Sequence, residues 1–357
     1  MYDSALVKAV ILAGGEGTRL RPLTLTTPKP VVPIVDRPFL RHQLDLLATA
    51  GIDEVVFSVA YRPERVQAVF GDGRALGKRI HYAVEDTPLG TGGAVRNAVR
   101  YLESTTVVFN GDVLTDVDLP AVVAMHRSSG AVATLVLAPV DDPTIYGVVE
   151  IDETGRVRRF VEKPPASEVT TNNINAGIYV LEKAAIERMP AGVPYSIERS
   201  FFPGLLKRGD LMRAHVHHGY WIDIGTPEKY LQAQRDVLRG RFPVSIAAAR
   251  RDGGWVHPDA DVQPGAQLEG PFYIGPRCSI AGEAVIGPDA VLVEDVTVAP
   301  RARVSGSVLW RGATVAEAAR VDGALLGAGV RVGSHATVGA GAVLGEGAVV
   351  PDHSRTA

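Results

Sequence analysis

The chain has 357 residues, more than one ordinary hydrophobic core accommodates, so two domains are expected. A net charge of −3 with no basic run argues against a nucleic-acid partner. The single cysteine, Cys278, rules out an intrachain disulfide, and no apolar run approaches the roughly 18 residues of a membrane span. No charged segment followed by an apolar signal core opens the sequence, so a cytoplasmic location without membrane attachment is the expectation.

The first predicted strand is Val7–Leu12, apolar and followed at once by Ala13-Gly14-Gly15-Glu16-Gly17-Thr18-Arg19. Glycines let a backbone turn tightly and bring its N–H groups close to a ligand. Consecutive N–H groups in such a turn form an anion-binding concavity. Arg19 and then Lys29, set between Pro28 and Pro30, add fixed positive charge. The stretch therefore predicts a site for phosphates. A P-loop is excluded because Lys-Ser/Thr does not follow its glycines, and the dinucleotide fingerprint because its third glycine is missing.

Further strands are predicted at Glu54–Val59, Arg79–Val84, Thr105–Phe109 and Ala131–Leu137, all short and rich in β-branched residues. Helical patterns lie at Phe39–Ala50, Pro63–Phe70, Gly92–Tyr101 and Leu119–Ser128. The alternation predicts an α/β, Rossmann-like, mostly parallel sheet with helices on both faces. Ligands of such sheets bind beyond the carboxyl ends of strands. The glycine loop after Leu12 and the Asn110-Gly111-Asp112 turn both fall at such ends.

From about residue 256 the pattern changes. Aliphatic residues recur every six positions from Val256 through Val262, Leu268, Ile274 and onward to Val304. After two five-residue steps the series continues through Leu309 and Leu326 to Val350. A small or branched residue stands four positions later in most repeats, as at Cys278, Ala284 and Ala290. A short fixed period signals a solenoid. The pattern resembles the left-handed parallel β-helix of hexapeptide-repeat proteins, three repeats to a coil. The expected organisation is a catalytic domain at 1–240, a linker at 241–255 and a β-helix at 256–357.

The signature Gly14-Gly15-x-Gly17-Thr18-Arg19-Leu20-x-Pro22-Leu23-Thr24 with Pro28-Lys29-Pro30 resembles that of the sugar-nucleotide pyrophosphorylases. Five more motifs of that family follow in order: Pro88-Leu89-Gly90-Thr91-Gly92-Gly93, Asn110-Gly111-Asp112, Val161-Glu162-Lys163-Pro164, Asn175-Ala176-Gly177 and Trp221-Ile222-Asp223-Ile224-Gly225-Thr226. The resemblance covers residues 7 to about 238. It implies a nucleotidyltransferase that joins a nucleoside triphosphate to a sugar 1-phosphate. The sugar phosphate attacks the α-phosphorus and pyrophosphate leaves, so the protein needs no nucleophile of its own. It must align two polyanions and stabilise the charge that develops between them.

The resemblance assigns roles residue by residue. Leu12, Gly14, Gly15, Gly17 and Thr18 would hold the triphosphate, with Glu85, Pro88, Gly90 and Thr91 completing the nucleotide site. Arg19 would neutralise the leaving pyrophosphate and Lys29 the α-phosphate. Asn110, Gly147, Glu162, Lys163, Asn175 and Gly177 would frame the sugar phosphate, Lys163 on its phosphate and Glu162 on its hydroxyls. Asp112 and Asp223, each within two residues of a glycine, would bind Mg²⁺, which takes few protein carboxylates and completes its shell with phosphate and water. Asp116 and Asp118 suit a solvated turn and a helix cap instead.

Family members that use thymidine or uridine triphosphate often carry a glutamine five residues before Gly90, matching one donor and one acceptor of the base. Here the residue is Glu85. A carboxylate only accepts, and guanine presents N1–H and an amino group as adjacent donors. GTP is therefore the expected nucleotide. The texture of Ser196-Ile197-Glu198-Arg199 and Gly219-Tyr220-Trp221 is similar to the branch that uses mannose 1-phosphate. A uridylyl- or thymidylyltransferase acting on glucose 1-phosphate is the alternative, and a non-catalytic regulatory subunit is another. A β-helix acyltransferase, with His257, His335 or His353 as base, is disfavoured because the repeats contain no inserted loop. The solenoid is expected to support homo-oligomerisation or regulation.

Overall fold

The computed structural model describes residues 7–356. The chain forms two compact units. One comprises the chain up to Gly15 together with Leu40–Trp221, and the other Glu16–Phe39 together with the chain from Ile222 onward.

In the first unit, Lys8–Leu12 pairs in parallel with Glu54–Val59 on one side and Thr105–Asn110 on the other. Arg79–Val84 extends the parallel run beyond Glu54–Val59. Lys8–Leu12, Glu54–Val59 and Thr105–Asn110 are rich in consecutive apolar residues because both faces are covered. Val10, Val56, Val108 and Tyr179 meet Val95 and Ala98 of the helical segment 90–101 in one core. Leu12 lies in register with both Ser58 and Asn110, so the strands end together at one edge. That edge receives the glycine loop, the Gly111-Asp112 turn and Glu85.

The far half of the sheet is antiparallel except for Met212–Val216, which runs parallel to Ala133–Pro139, and the strand–helix alternation does not foretell it. Asn173–Glu182 pairs antiparallel with Thr105–Asn110, Ala133–Pro139 and Gly147–Ile151. Val157–Glu162 closes that edge. Asn173, Asn175 and Gly177 hide this strand from an apolar reading, and its register with Ala133–Pro139 shifts between Asn175 and Tyr179. Asp118 caps the helix Leu119–Ser129 by accepting from the Ala121 N–H at 3.0 Å, as expected. Asp116 is more than a solvated turn residue. It accepts from the Tyr220 N–H at 2.7 Å and pairs with His217 at 2.9 Å.

The second unit contains the parallel β-helix. Its three sheets have seven, six and six strands. Val256, Ile274, Leu292, Leu309, Leu326 and Leu344 stack along one sheet. The five-residue steps shorten individual coils without breaking the ladder, because Leu309 still pairs with Leu292 and with Leu326. The first sheet starts one strand earlier than the repeat predicts, with Ala249–Arg251 antiparallel to Gly254–Val256. Thr356 occupies the aliphatic position after Val350, beside Val338, where a polar residue ends the apolar series.

Cys278 lies inside the solenoid, 1 % exposed. Burial pushes its thiol up to about 11. A thiol that is buried and protonated is a poor nucleophile. We therefore expect no labelling by a thiol reagent at neutral pH until the β-helix unfolds. Stoichiometric labelling of the native protein, followed by mass spectrometry, would contradict this placement.

Candidate active site

The first unit places most of the expected nucleotide and sugar residues at the carboxyl edge of its parallel strands. Ala13 donates its N–H to Ser58 O at 2.8 Å, which anchors the start of the glycine loop. A Cβ on Gly14 would press on Ala60 N at 3.3 Å and Glu85 Oε1 at 3.4 Å, so this backbone runs close to Glu85. A Cβ on Gly15 would meet nothing within 4 Å. Its small size is required by nothing in the protein itself.

Glu85 is 8 % exposed and enters the fold rather than facing solvent. Ser58 Oγ donates to its Oε1 at 2.9 Å, and the Leu89 N–H donates to its Oε2 at 2.9 Å. Each carboxylate oxygen thus holds one protein donor and keeps capacity for a second. The same contacts brace the turn that carries Pro88. Gly90 has φ +68° and a Cβ there would lie 2.9 Å from Tyr195 O. Gly92 and Gly93 donate their N–H groups to that carbonyl at 2.8 and 3.1 Å. This glycine cluster therefore serves close packing on Tyr195. The Thr91 hydroxyl is also engaged, donating to Glu198 Oε2 at 2.7 Å and accepting the Ile197 N–H at 2.9 Å.

Gly111 could not be another residue, because a Cβ would stand 2.3 Å from Leu12 O. Its N–H donates to the same oxygen at 3.0 Å, which ties Asp112 to the end of the first strand. Asn110 holds its backbone carbonyl against Gln43 Nε2 at 2.9 Å. Its side-chain Oδ1 is buried without a hydrogen-bond partner. Gly177, at φ +74°, packs on the Asn110 amide, where a Cβ would come within 2.8 Å of Nδ2. Asn175 fixes this bulge by accepting the Gly177 N–H at 3.1 Å and donating to the Tyr179 hydroxyl at 2.8 Å. Its amide is thus largely committed to shaping the strand.

Gly147 faces Glu162, with Oε2 only 2.9 Å from where a Cβ would be. Burial and the charge of Glu198 hold the Glu162 carboxyl above the ordinary glutamate range. Lys163 is exposed, at φ +51°, with its N–H on Tyr146 O at 2.9 Å. Tyr146 meets the Trp221 ring edge-on at 5.5 Å, and Trp221 Nε1 donates to Ala176 O at 2.9 Å. Glu198 is the residue that site assignment from sequence overlooks. Ser196 and Thr91 hydroxyls both donate to it, and its charge reaches Glu162 and Tyr179. The only sequence signal was its place in Ser196-Ile197-Glu198-Arg199, beside a helix-capping serine.

The second unit holds the rest of the signature. Gly17 sits at φ +63°, and its carbonyl accepts from Thr24 Oγ1 at 2.7 Å. A Cβ on Gly17 would lie 3.4 Å from the Lys29 Cβ, so loop and lysine are neighbours. Lys29 is 9 % exposed, whereas Thr18 and Arg19 are exposed. The Arg19 guanidinium lies over Gly225, where a Cβ would clash with Nη2 at 2.6 Å. Gly225 thus leaves room for the arginine two residues beyond Asp223. Asp223 itself is paired with Lys229 of the helix Pro227–Leu238.

Among the described residues, no three or more His, Cys, Asp or Glu side chains gather into a metal cage. No helix among the described residues is long and apolar enough to cross a membrane.

A family model described as nucleotidyl transferase matches residues 8–240, and one described as the GMPPB C-terminal domain matches residues 268–355. A mannose-1-phosphate guanylyltransferase of Mycobacterium tuberculosis is 44 % identical over 82 % of this chain and 81 % of its own. A probable mannose-1-phosphate guanylyltransferase 2 of Arabidopsis thaliana is 36 % identical over 97 % of this chain and 93 % of its own. The solved structure of HddC from Yersinia pseudotuberculosis, complexed with GMP-PN, is 34 % identical with a TM-score of 0.55. That match covers 64 % of this chain and 99 % of HddC.

Proposed function

The chain belongs to the nucleotidyl transferase family, and on that premise we propose that it joins GTP to mannose 1-phosphate, giving GDP-mannose and pyrophosphate. The observation that carries the choice of base is Glu85. Its buried carboxylate has one accepting position left on each oxygen, at the strand edge that bears the glycine loop. Guanine offers two adjacent donors to such a pair. The relatives named as guanylyltransferases support the same reading.

In this reading residues 1–240 form the catalytic domain, 241–255 the linker and 256–357 the β-helix. Loop N–H groups of Gly14 to Thr18 hold the triphosphate. Arg19 takes the charge of the departing pyrophosphate, and Lys29 that of the α-phosphate. Lys163 holds the phosphate of the sugar and Glu162 accepts from its hydroxyls. Asn110, with an unpartnered buried Oδ1, has an acceptor to offer the sugar. Asp112 and Asp223 would hold Mg²⁺, whose charge offsets the phosphates' mutual repulsion. The protein's own contribution is alignment of the attacking oxygen with the leaving pyrophosphate, worth many orders of magnitude in effective concentration. The lone, buried cysteine suits a cytoplasmic site for this chemistry.

Pyrophosphate release should peak when GTP is paired with mannose 1-phosphate in the presence of Mg²⁺. A panel of each nucleoside triphosphate with mannose and glucose 1-phosphates measures this directly. A peak with uridine or thymidine triphosphate would overturn the base assignment and keep the mechanism. No release with any pair would favour a regulatory subunit.

A further inference from the structure

We propose that Trp310 of the β-helix and Tyr230 and Gln234 of the helix Pro227–Leu238 are positioning residues for the catalytic loop that carries Lys29. The inference rests on the nucleotidyltransferase reading above. It gives the solenoid a role in the reaction itself.

The contacts converge on one carbonyl. Tyr230 Oη donates to Pro33 O at 2.5 Å, and Gln234 Nε2 donates to the same oxygen at 2.8 Å. Gln234 Oε1 then accepts the Val35 N–H at 2.8 Å. One glutamine thus holds both the strand Pro33–Ile34 and the first residue of the turn that leads to Arg37–Pro38. That turn needs holding, because Val35 is a β-branched residue at φ +54°.

Trp310 sets the direction of the phenol. Its Nε1 lies 3.1 Å from Tyr230 Oη. An indole N–H only donates, so Tyr230 must accept from it and give its single proton to Pro33 O. Burial pushes the Tyr230 phenol far above its ordinary range, so that proton stays in place. Trp310, Tyr230 and Gln234 are 4, 0 and 1 % exposed, so water does not compete for these bonds.

The path from Pro33 to Lys29 is short and stiff. Val32 donates its N–H to Lys29 O at 3.2 Å, and Phe39 donates to Val32 O at 2.8 Å. Pro28 and Pro30 restrict the backbone on either side of the lysine. A second solenoid contact falls on the same signature, since a Cβ on Gly345 would lie 3.1 Å from Pro22 Cβ. A sub-ångström error in Lys29 is costly in a reaction that depends on alignment.

The test uses the full chain with Trp310→Phe, which keeps a ring and removes the N–H, and Tyr230→Phe, which changes no solenoid residue but takes the acceptor from the Trp310 N–H. Pyrophosphate release and amide exchange at Val35 are measured together. We expect kcat to fall roughly tenfold and the KM for GTP to rise, with the KM for mannose 1-phosphate unchanged. Val35 exchange should accelerate in both variants, and the double variant should be no worse than Tyr230→Phe alone. Wild-type kinetics or unchanged Val35 exchange in both folded variants would overturn the proposal, as would equal losses for the two substrates. If the unaltered protein releases no pyrophosphate with any pair, the functional reading has failed, and the exchange measurement still decides whether Trp310 and Tyr230 hold the Val35 turn.

Discussion

Replacing Asp112 or Asp223 with asparagine is expected to lower kcat/KM by on the order of 10² while leaving the thermal unfolding temperature nearly unchanged. On the proposed role as Mg²⁺ ligands, each change would remove one charge from the electrostatic stabilisation of the transition state, a class of loss that costs about 10² to 10³ in rate. The substitution is isosteric. At residue 112 the backbone is set by its neighbour, because Gly111 is pinned to Leu12 O. At residue 223 the change also loosens the ion pair with Lys229, whose contribution to stability is about 1 kcal/mol or less for partly exposed groups. The fold should therefore survive in both. Steady-state rates across an Mg²⁺ titration, beside melting curves, test the pair. Near-normal turnover of both variants at every Mg²⁺ concentration would remove them as ligands. A loss in only Asp223→Asn that is matched by Lys229→Ala would reassign Asp223 to holding the helix Pro227–Leu238.

Those two aspartates stand out in the sequence because each follows an apolar segment and lies within two residues of a glycine. Much of the fold is legible for similar, local reasons. A buried parallel strand such as Glu54–Val59 is written as a continuous apolar run, and each coil of the solenoid repeats its aliphatic residue at a fixed interval. What stays hidden depends on partners far away in the chain. Asn173–Glu182 is the central strand of the antiparallel half, yet two asparagines and a glycine interrupt its pattern for the sake of the bulge against Asn110. Thr91 reads as part of the nucleotide site in its glycine-rich motif, and its hydroxyl is bound to Glu198, 107 residues on. Glu198 is marked locally only by its place after the capping Ser196. The Pro33–Val35 turn looks like an ordinary prolyl segment until Gln234 and Tyr230 are seen to grip it.

Glu85→Gln should shift the ratio of GTP to UTP use toward UTP by roughly 10- to 100-fold, the value of one buried polar group left unpaired, about 1–3 kcal/mol. The framework around residue 85 can tolerate an amide. A glutamine oxygen can accept the Leu89 N–H in place of Oε2. Its amide nitrogen can then donate to Ser58 Oγ, which frees the serine proton for Ala94 O, already 3.4 Å away. The turn carrying Pro88 is therefore preserved, and the change is confined to what the side chain shows the base. Guanine's two donors would meet one acceptor and one donor, and one of them would be stranded. Uracil's N3–H and adjacent carbonyl would find the complementary pair. Competition of the two triphosphates for mannose 1-phosphate gives the ratio of kcat/KM values directly. A ratio unchanged from the parent, with rates intact, would show that Glu85 only braces Ser58 and Leu89, and that guanine is read elsewhere.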